Sequence, residues 1–147
     1  MAITRPTYTT REAVAACLDT KLTAFVNRVI DEAIEAASGS IDGLAHRVFH
    51  PTVAVKKLPW PNPTSRTSYR LWLDDLGPTD LISVTSLTSG GTTITSYLLE
   101  PVNSGPPYDR VEINLSGSDS FGGGDTHQQS IVITGLFGYR NDEAPAG

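Results

Sequence analysis

The sequence predicts an α+β fold, in which a short helix and a long amphipathic helix (about 10–18 and 20–49) precede a β-rich region of hairpins (about 52–139). Two observations predict this class. Apolar residues recur at steps of three and four through the long helix, which is the period of one helical face. After Pro51 the pattern changes to alternation of apolar and polar residues, which is typical of half-buried strands.

Length and composition indicate an ordinary globular chain. Its 147 residues are 39% hydrophobic and 18% charged, far from the composition of disordered proteins. We therefore expect a single domain over 1–147, with a helical part at 9–50 and a β-rich part at 51–140. The net charge is −5, from 16 acidic and 11 basic residues. Proteins that grip nucleic acid gather basic residues, so this balance disfavours tight binding to DNA or RNA but permits passive contact.

The cysteine content and the N-terminal sequence bear on where the protein works. Cys17 is the only cysteine, so no internal disulfide can form, and its apolar neighbours predict a small buried side chain. The N-terminal sequence MAITRPTYTT lacks the apolar run of a signal peptide. No segment approaches the 18 or so apolar residues that cross a bilayer. We expect a protein that is neither exported nor inserted in a membrane.

Capping signals predict where the helices begin. Thr9 and Glu12 have the spacing of a capping box, in which the threonine hydroxyl accepts from the amide three residues later. This predicts a short helix over Arg11 to Leu18. Asp19 or Thr20 then offers an N-cap for the long helix.

The long helix carries more apolar surface than a narrow stripe. Small residues at Ala36, Ala37 and Ala45 predict positions of close contact with another protein surface. The serines and glycine at 38–40 disfavour helix and predict a bend or break there. Pro51 ends the helical pattern.

The strands are predicted from alternation and from runs of β-branched residues. Glycines after Ser89 supply the positive φ that a tight hairpin needs, and Gly135 is a candidate β-bulge in the last strand. The segment at 116–130 is polar, rich in glycine and long for a connection, which predicts a mobile loop that becomes ordered on assembly. The predicted strands are 52–57, 69–73, 81–88, 92–99, 111–115 and 130–139.

A histidine pair is the first candidate for chemistry. His46 and His50 have the spacing of the two zinc ligands of a metallopeptidase helix, but the glutamate that such a motif needs at position 47 is Arg47. Pro51 also places His50 at the end of the helix. We therefore interpret both histidines as favourable partners of the helix C-terminus or as solvent-facing side chains.

Other polar candidates fit ordinary loops better than sites. The run Gly122 to Asp125 lacks the lysine and hydroxyl of a phosphate-binding loop and the repetition of calcium-binding repeats, so a flexible loop is favoured. Asp74, Asp75 and Asp80 flank a Leu-Gly-Pro turn, where aspartate is common. We find no activated nucleophile in the sequence, since Cys17 is in an apolar context. No catalytic, cofactor-binding or metal-ligating residue is predicted.

Four aromatic residues allow two interpretations. Trp60, Tyr69, Trp72 and Tyr97 could form a platform for a carbohydrate. At strand spacing such residues more often belong to the core or to an interface.

Three segments, taken in order, carry a family resemblance. They are SIDGLAHRVF at 40–49, YLLEP at 97–101 with the Pro-Pro-Tyr of 106–108, and VITGLFGY at 132–139. Together they resemble the head-tail connector, or adaptor, proteins of tailed bacteriophages, over about residues 9 to 140. Members of that family have a helical base with a β-rich insertion.

The resemblance implies a structural role in the virion. Such adaptors form a ring, a dodecamer in the expected case, beneath the portal protein, and line the channel through which double-stranded DNA leaves the capsid. The expected partners are other copies of the chain, the portal, the stopper or head-closure protein or tail tube protein, and DNA in passing. The expected location is the virion neck, after synthesis in the bacterial cytoplasm.

Two alternatives stay open. Family members usually continue past the last strand into segments that help dock on the portal, whereas this sequence ends at Gly147, so docking is done differently here or the native product is longer. The other alternative is a non-catalytic β-rich binding module, tail-associated or carbohydrate-binding through Trp72 and Tyr97.

Overall fold

The computed structural model describes residues 7–21, 23–73 and 80–139 and has the α+β class that the sequence predicts. Contacts divide the chain into two compact units, Met1–His46 and Arg47–Gly147, which we call the helical unit and the β unit. Each unit is described by itself.

The short helix α1 spans Arg11–Leu18. Its N-cap is Thr10, whose hydroxyl accepts a hydrogen bond from the Ala13 amide at 3.2 Å. The capping box predicted from Thr9 and Glu12 is therefore wrong. The N-cap lies one residue later, and the residue three positions after it is Ala13, which has no side-chain acceptor to complete a box. The helix ends at Asp19, which adopts the left-handed conformation and donates its amide to the last turn.

The long helix α2 spans Ala24–Ala45 and is shorter than predicted at both ends. It begins after Thr23, whose hydroxyl accepts from the Val26 amide at 3.3 Å. It ends where His46 adopts a left-handed conformation, before Pro51 is reached. The break that the sequence allowed at 38–40 does not occur, because the helix continues through these residues. The Ser40 hydroxyl donates to the Ala36 carbonyl within it at 2.9 Å. The bend stays a prediction.

Polar contacts tie α1 and its preceding residues to α2. The Arg11 guanidinium forms an ion pair with Asp31, with Nε 2.9 Å from Oδ1. The Tyr8 hydroxyl donates to the Asp42 carboxylate, and the Tyr8 amide donates to the Ser38 hydroxyl at 3.3 Å. The apolar packing between the two helices is small. Among the described residues of the helical unit, the buried apolar side chains are those of Ala15, Ile30 and Ile34.

The β unit contains two antiparallel sheets. The strands are β1 (Thr52–Leu58), β2 (Arg70–Trp72), β3 (Leu81–Ser89), β4 (Thr92–Thr93), β5 (Tyr97–Glu100), β6 (Arg110–Ile113) and β7 (Ile131–Phe137). The four-stranded sheet has the order β1-β7-β3-β4, and the three-stranded sheet has the order β2-β6-β5. Leu81 of β3 also forms an isolated antiparallel bridge with Tyr108.

One predicted strand is in fact two. The run at 92–99 divides between β4 in one sheet and β5 in the other. Ile94 follows β4 and is buried, while its amide donates to the Leu87 carbonyl at 2.9 Å. The turn before it is the predicted hairpin, with φ of +55° at Gly90 and +82° at Gly91.

The two sheets share one apolar core. The largest fully buried side chains come from both sheets and from their ends, and Trp60, Tyr69, Tyr97 and Phe121 pack around them. Alternation along β7 is complete, with every second residue buried, as the period of a strand requires. The core members are Leu58, Leu71, Leu73, Leu81, Leu87, Ile94, Val111, Ile113, Ile131, Ile133 and Phe137.

Candidate assembly surface

The histidine pair is not brought together on a helix. His46 is the residue after the last turn of α2, and His50 lies at a bend shortly before β1, with its Nδ1 buried and without a hydrogen bond. Across residues 7–21, 23–73 and 80–139, no group of three or more His, Cys, Asp or Glu side chains is placed to hold a metal ion. Neither helix in that part of the chain has the length and hydrophobicity of a membrane span.

Cys17 is exposed, so the expectation of a buried thiol is wrong. Ala15 occupies the face of α1 that packs against α2. A residue two positions later lies about 200° further around an α-helix, which turns Cys17 away from that contact. The apolar composition around a residue did not reveal which face of a short helix it occupies.

Of the three aspartates near the Leu-Gly-Pro turn, Asp74 and Asp75 lie outside the described residues, as does the turn itself. Asp80 is described and lies 3.9 Å from Arg47, measured from Oδ2 to Nε. Burial raises the pKa of Asp80, and the positive charge of Arg47 opposes that rise. The pair links the segment after α2 to the start of β3, within the β unit.

The segment at 116–130 is held at several points. The Asp119 carboxylate accepts from the amides of Thr95 and Ser96 at 2.9 and 2.8 Å. The Ser89 hydroxyl donates to the Gly122 carbonyl and accepts from its amide, and Phe121 packs on the core. The run of glycines therefore lies beside the β3-β4 turn. The predicted mobility of this segment, and its ordering on assembly, stay predictions.

The aromatic residues do not form the platform proposed from the sequence. Trp72, Arg110 and Glu100 are cross-strand neighbours on the outer face of the three-stranded sheet. Tyr97 pairs instead with the buried Ile113 and packs on the core, so it is on the opposite face. Trp72 does share a cleft of about 300 Å³ with Trp60, which sequence reasoning did not single out as a pair.

An apolar groove lies on the helical unit, and we call it the helical groove. It has a volume of about 530 Å³, and eight of its eleven lining residues are aliphatic. Leu18 on its wall is 63% exposed, and Val29 and Ile41 are also exposed. The aliphatic lining residues are Val14, Leu18, Val29, Ile30, Ala33, Ile34, Ala37 and Ile41, and Tyr8, Thr9 and Ser38 complete the lining.

Other apolar residues of α2, outside the helical groove, are exposed as well. Phe25 near its start and Leu44 near its end are exposed, Leu44 by 85%. Of the three alanines predicted as contact positions, Ala37 lines the groove, and Ala36 and Ala45 are exposed nearby in sequence. The period of three and four in the sequence therefore located a face that the described residues of the helical unit leave exposed.

A second exposed apolar surface lies on the β unit. Val53 and Val55 of β1 point outward, and Val53 is 74% exposed. Covering contiguous apolar surface with another protein removes it from water and lowers the free energy, which makes both surfaces candidates for assembly.

Comparison of the chain with protein-family models, with curated proteins and with solved structures finds no match.

Proposed function

We propose that this chain is a structural virion protein, a head-to-tail adaptor that forms a ring beneath the portal, joins capsid to tail and lines the DNA exit channel. The observation that carries the proposal is the helical groove, because an apolar surface of this extent on so small a unit calls for a protein partner. The primary partner is a neighbouring copy of the same chain. The portal above the ring and the stopper or tail tube below it complete the assembly.

Energetics favour cover of the helical groove by protein. Full burial of a leucine stabilises by about 1.5–3 kcal/mol relative to exposure, so cover of the exposed part of Leu18 is worth about 1–2 kcal/mol. Val29 and Ile41 of the helical groove are also exposed, so their burial would add to that of Leu18. Units near or below about 40 residues usually need oligomerisation or another staple, and three buried apolar residues among those described are a small core.

Charge is compatible with a conduit for DNA. Between residues 7 and 46 the chain has three basic and six acidic residues, so the helical unit is acidic. A channel must let a polyanion pass without holding it, and a surface rich in lysine and arginine would bind the phosphates. The acidic balance of the helical unit supports the proposal.

Native mass spectrometry and negative-stain imaging of the purified chain test this function. We expect particles of one defined stoichiometry with an annular outline, alone or on addition of isolated portal rings. A stable monomer at every concentration, which also fails to bind portal rings, would reject the proposal. Labelling the C-terminus in purified virions would then place the ring at the neck.

The cleft between Trp60 and Trp72 supports a second candidate, a non-catalytic carbohydrate-binding module. Trp72 is half exposed there, and Asn62, Thr67 and Arg70 add polar groups to the lining. Aromatic faces flanked by such groups suit a sugar ring. Binding to a glycan array that is lost in Trp72→Ala, in a chain that forms no annular particles, would favour this function over the adaptor.

A further inference from the structure

The outer edge of β1 is open to another strand. In the described part of the chain β1 pairs with β7 alone, through seven consecutive residues, and it contains no proline. An edge strand presents a row of backbone amides and carbonyls to any strand that can match it. Its outward-facing side chains are Val53, Val55 and Lys57, which combine an apolar stripe with a positive end.

One edge strand of the three-stranded sheet has side chains that complement those of β1, an apolar residue and a negative charge. β5 lies at its margin and pairs with β6. Leu98 and Glu100 are cross-strand neighbours of Glu112 and Arg110, so both point to the outer face of that sheet. Leu98 is also among the exposed large apolar residues. β5 thus offers a leucine and a carboxylate two residues apart on one face.

We propose that β5 of a second copy adds to the open edge of β1 in parallel orientation, with Leu98 of the second copy beside Val55 and Glu100 of the second copy beside Lys57. In this register the two outward stripes lie on the same face, apolar beside apolar and carboxylate beside ammonium. The remaining residues alternate to the other face on both strands. The pairing rests on the proposed assembly function and names a second contact between neighbouring copies, besides the helical groove.

Charge selects both the strand and its direction. The opposite margin of the three-stranded sheet is β2, which carries Arg70 and would bring like charge towards Lys57. An antiparallel β5 with Leu98 still beside Val55 would move Glu100 beside Val53 and leave Lys57 facing Ser96. Only the parallel register joins the opposite charges while it keeps the apolar pair. Like charges directly across a ladder destabilise it.

The symmetry of this contact has a clear consequence. β1 of one copy meets β5 of the next, so each copy uses two different surfaces, and the contact is heterologous. Repetition of such a contact closes a ring when the rotation that relates one copy to the next divides a full turn into a whole number of steps. A pairing of β1 with β1 would instead stop at a dimer.

Cysteine cross-linking tests the contact in the full chain. In a Cys17→Ser background, Val55→Cys combined with Leu98→Cys is exposed to a mild oxidant and analysed by non-reducing electrophoresis. We expect a ladder of linked copies that extends beyond the dimer, because each copy has two neighbours. Each single cysteine variant serves as a control and should give no ladder. Dimers from Val55→Cys alone would show β1 pairing with itself and overturn the proposal.

Charge reversal tests the register. We expect Lys57→Glu alone and Glu100→Lys alone to lower the yield of the ladder at least tenfold, and the two together to restore it. Failure of the double variant to restore the ladder, with each variant folded by circular dichroism, would overturn the parallel register. Annular particles without any ladder would overturn the strand contact and leave the adaptor function standing, whereas a chain that stays monomeric would overturn both.

Discussion

Gly135 on β7 lies against the backbone of Ser83 on β3, so closely that a Cβ atom at position 135 would stand 2.1 Å from the Ser83 carbonyl oxygen. The register of the two strands slips on either side of this point, between Leu81 and Ser83 and between Val84 and Ser86. The bulge predicted at Gly135 therefore belongs to the opposing strand, β3. Glycine is needed at 135 because β3 closes onto β7 there.

Replacing this glycine should separate the two strands. Gly135→Ala forces the backbone of β3 to move, and overpacking of this kind costs about 1–3 kcal/mol. Urea unfolding followed by tryptophan fluorescence reports the β unit, since both tryptophans lie in it. Gly39→Ala is the matched control: nothing lies within 4 Å of its added Cβ, and alanine should stabilise α2 by about 0.5–1 kcal/mol. An unchanged unfolding midpoint for Gly135→Ala would contradict the close approach.

The Asp119 carboxylate is expected to hold the segment at 116–130 in place. Hydrogen bonds from the backbone amides of Ser96 and then Thr95 lower the pKa of Asp119, so the carboxylate stays ionised well into acid. Asp119→Ala should speed hydrogen exchange at both amides and increase cleavage of the segment by protease. Asp125→Ala changes an exposed aspartate of the same segment and should leave both amides protected. Equal exchange in the two variants would show that Asp119 is not an anchor.

The ion pair between Arg11 and Asp31 should make the helical unit sensitive to acid. The hydrogen bond from Arg11 lowers the pKa of Asp31 below its unfolded value of 3.8. A depressed carboxyl pKa gives stability that is present above the unfolded value and is lost as pH falls through the folded value. Arg11→Met should raise the pKa of Asp31 in a carboxyl ¹³C titration. Arg28→Met, which removes the cation 3.9 Å from Glu32, should leave that pKa unchanged.

The stability that Asp80 contributes should depend on pH in the opposite direction to that of Asp31. Burial raises its pKa, so its contribution to stability is fully present below the unfolded value of 3.8 and is lost as pH rises through the folded value. Arg47 opposes the rise, and its guanidinium also lies over the Tyr139 ring at 4.7 Å. Arg47→Met should therefore raise the pKa of Asp80 further. A fall in that pKa, measured by the same titration, would contradict the assigned roles of burial and charge.

The sequence could predict the class of fold because period and alternation depend on local pattern. The alternation in β7 and the glycines of the β3-β4 hairpin are read directly from neighbouring residues. The bounds of the short helix, Arg11–Leu18, are those that the sequence predicts. The ends of the long helix were harder to place. It stops at His46, a residue other than glycine whose left-handed conformation carries no strong sequence signal.

Tertiary contacts account for what pattern could not predict. The strand pattern at 92–99 is continuous in sequence, and only the pairing of β4 with β3 and of β5 with β6 shows where the chain leaves one sheet for the other. The recurrence of apolar residues at steps of three and four predicted the apolar face that lines the helical groove. A sequence does not say whether such a face is covered within one copy. The same holds for Trp72 and Tyr97. The strand between theirs was predicted, but its pairing with both of them was not, so alternation alone did not say which residues share a face.

Sedimentation velocity of two matched variants tests the central claim most directly, which is that the helical groove is an interface between copies. Leu18→Glu places a charge on the groove wall, and Leu115→Glu places the same charge at a leucine of the β unit that is 72% exposed. Both leucines are already largely exposed, so neither change should unfold a single copy. We predict that Leu18→Glu weakens self-association about tenfold or more, since each 1.4 kcal/mol of lost cover is a factor of ten. Leu115→Glu should associate like the parent chain, and equal association of all three proteins would contradict the account.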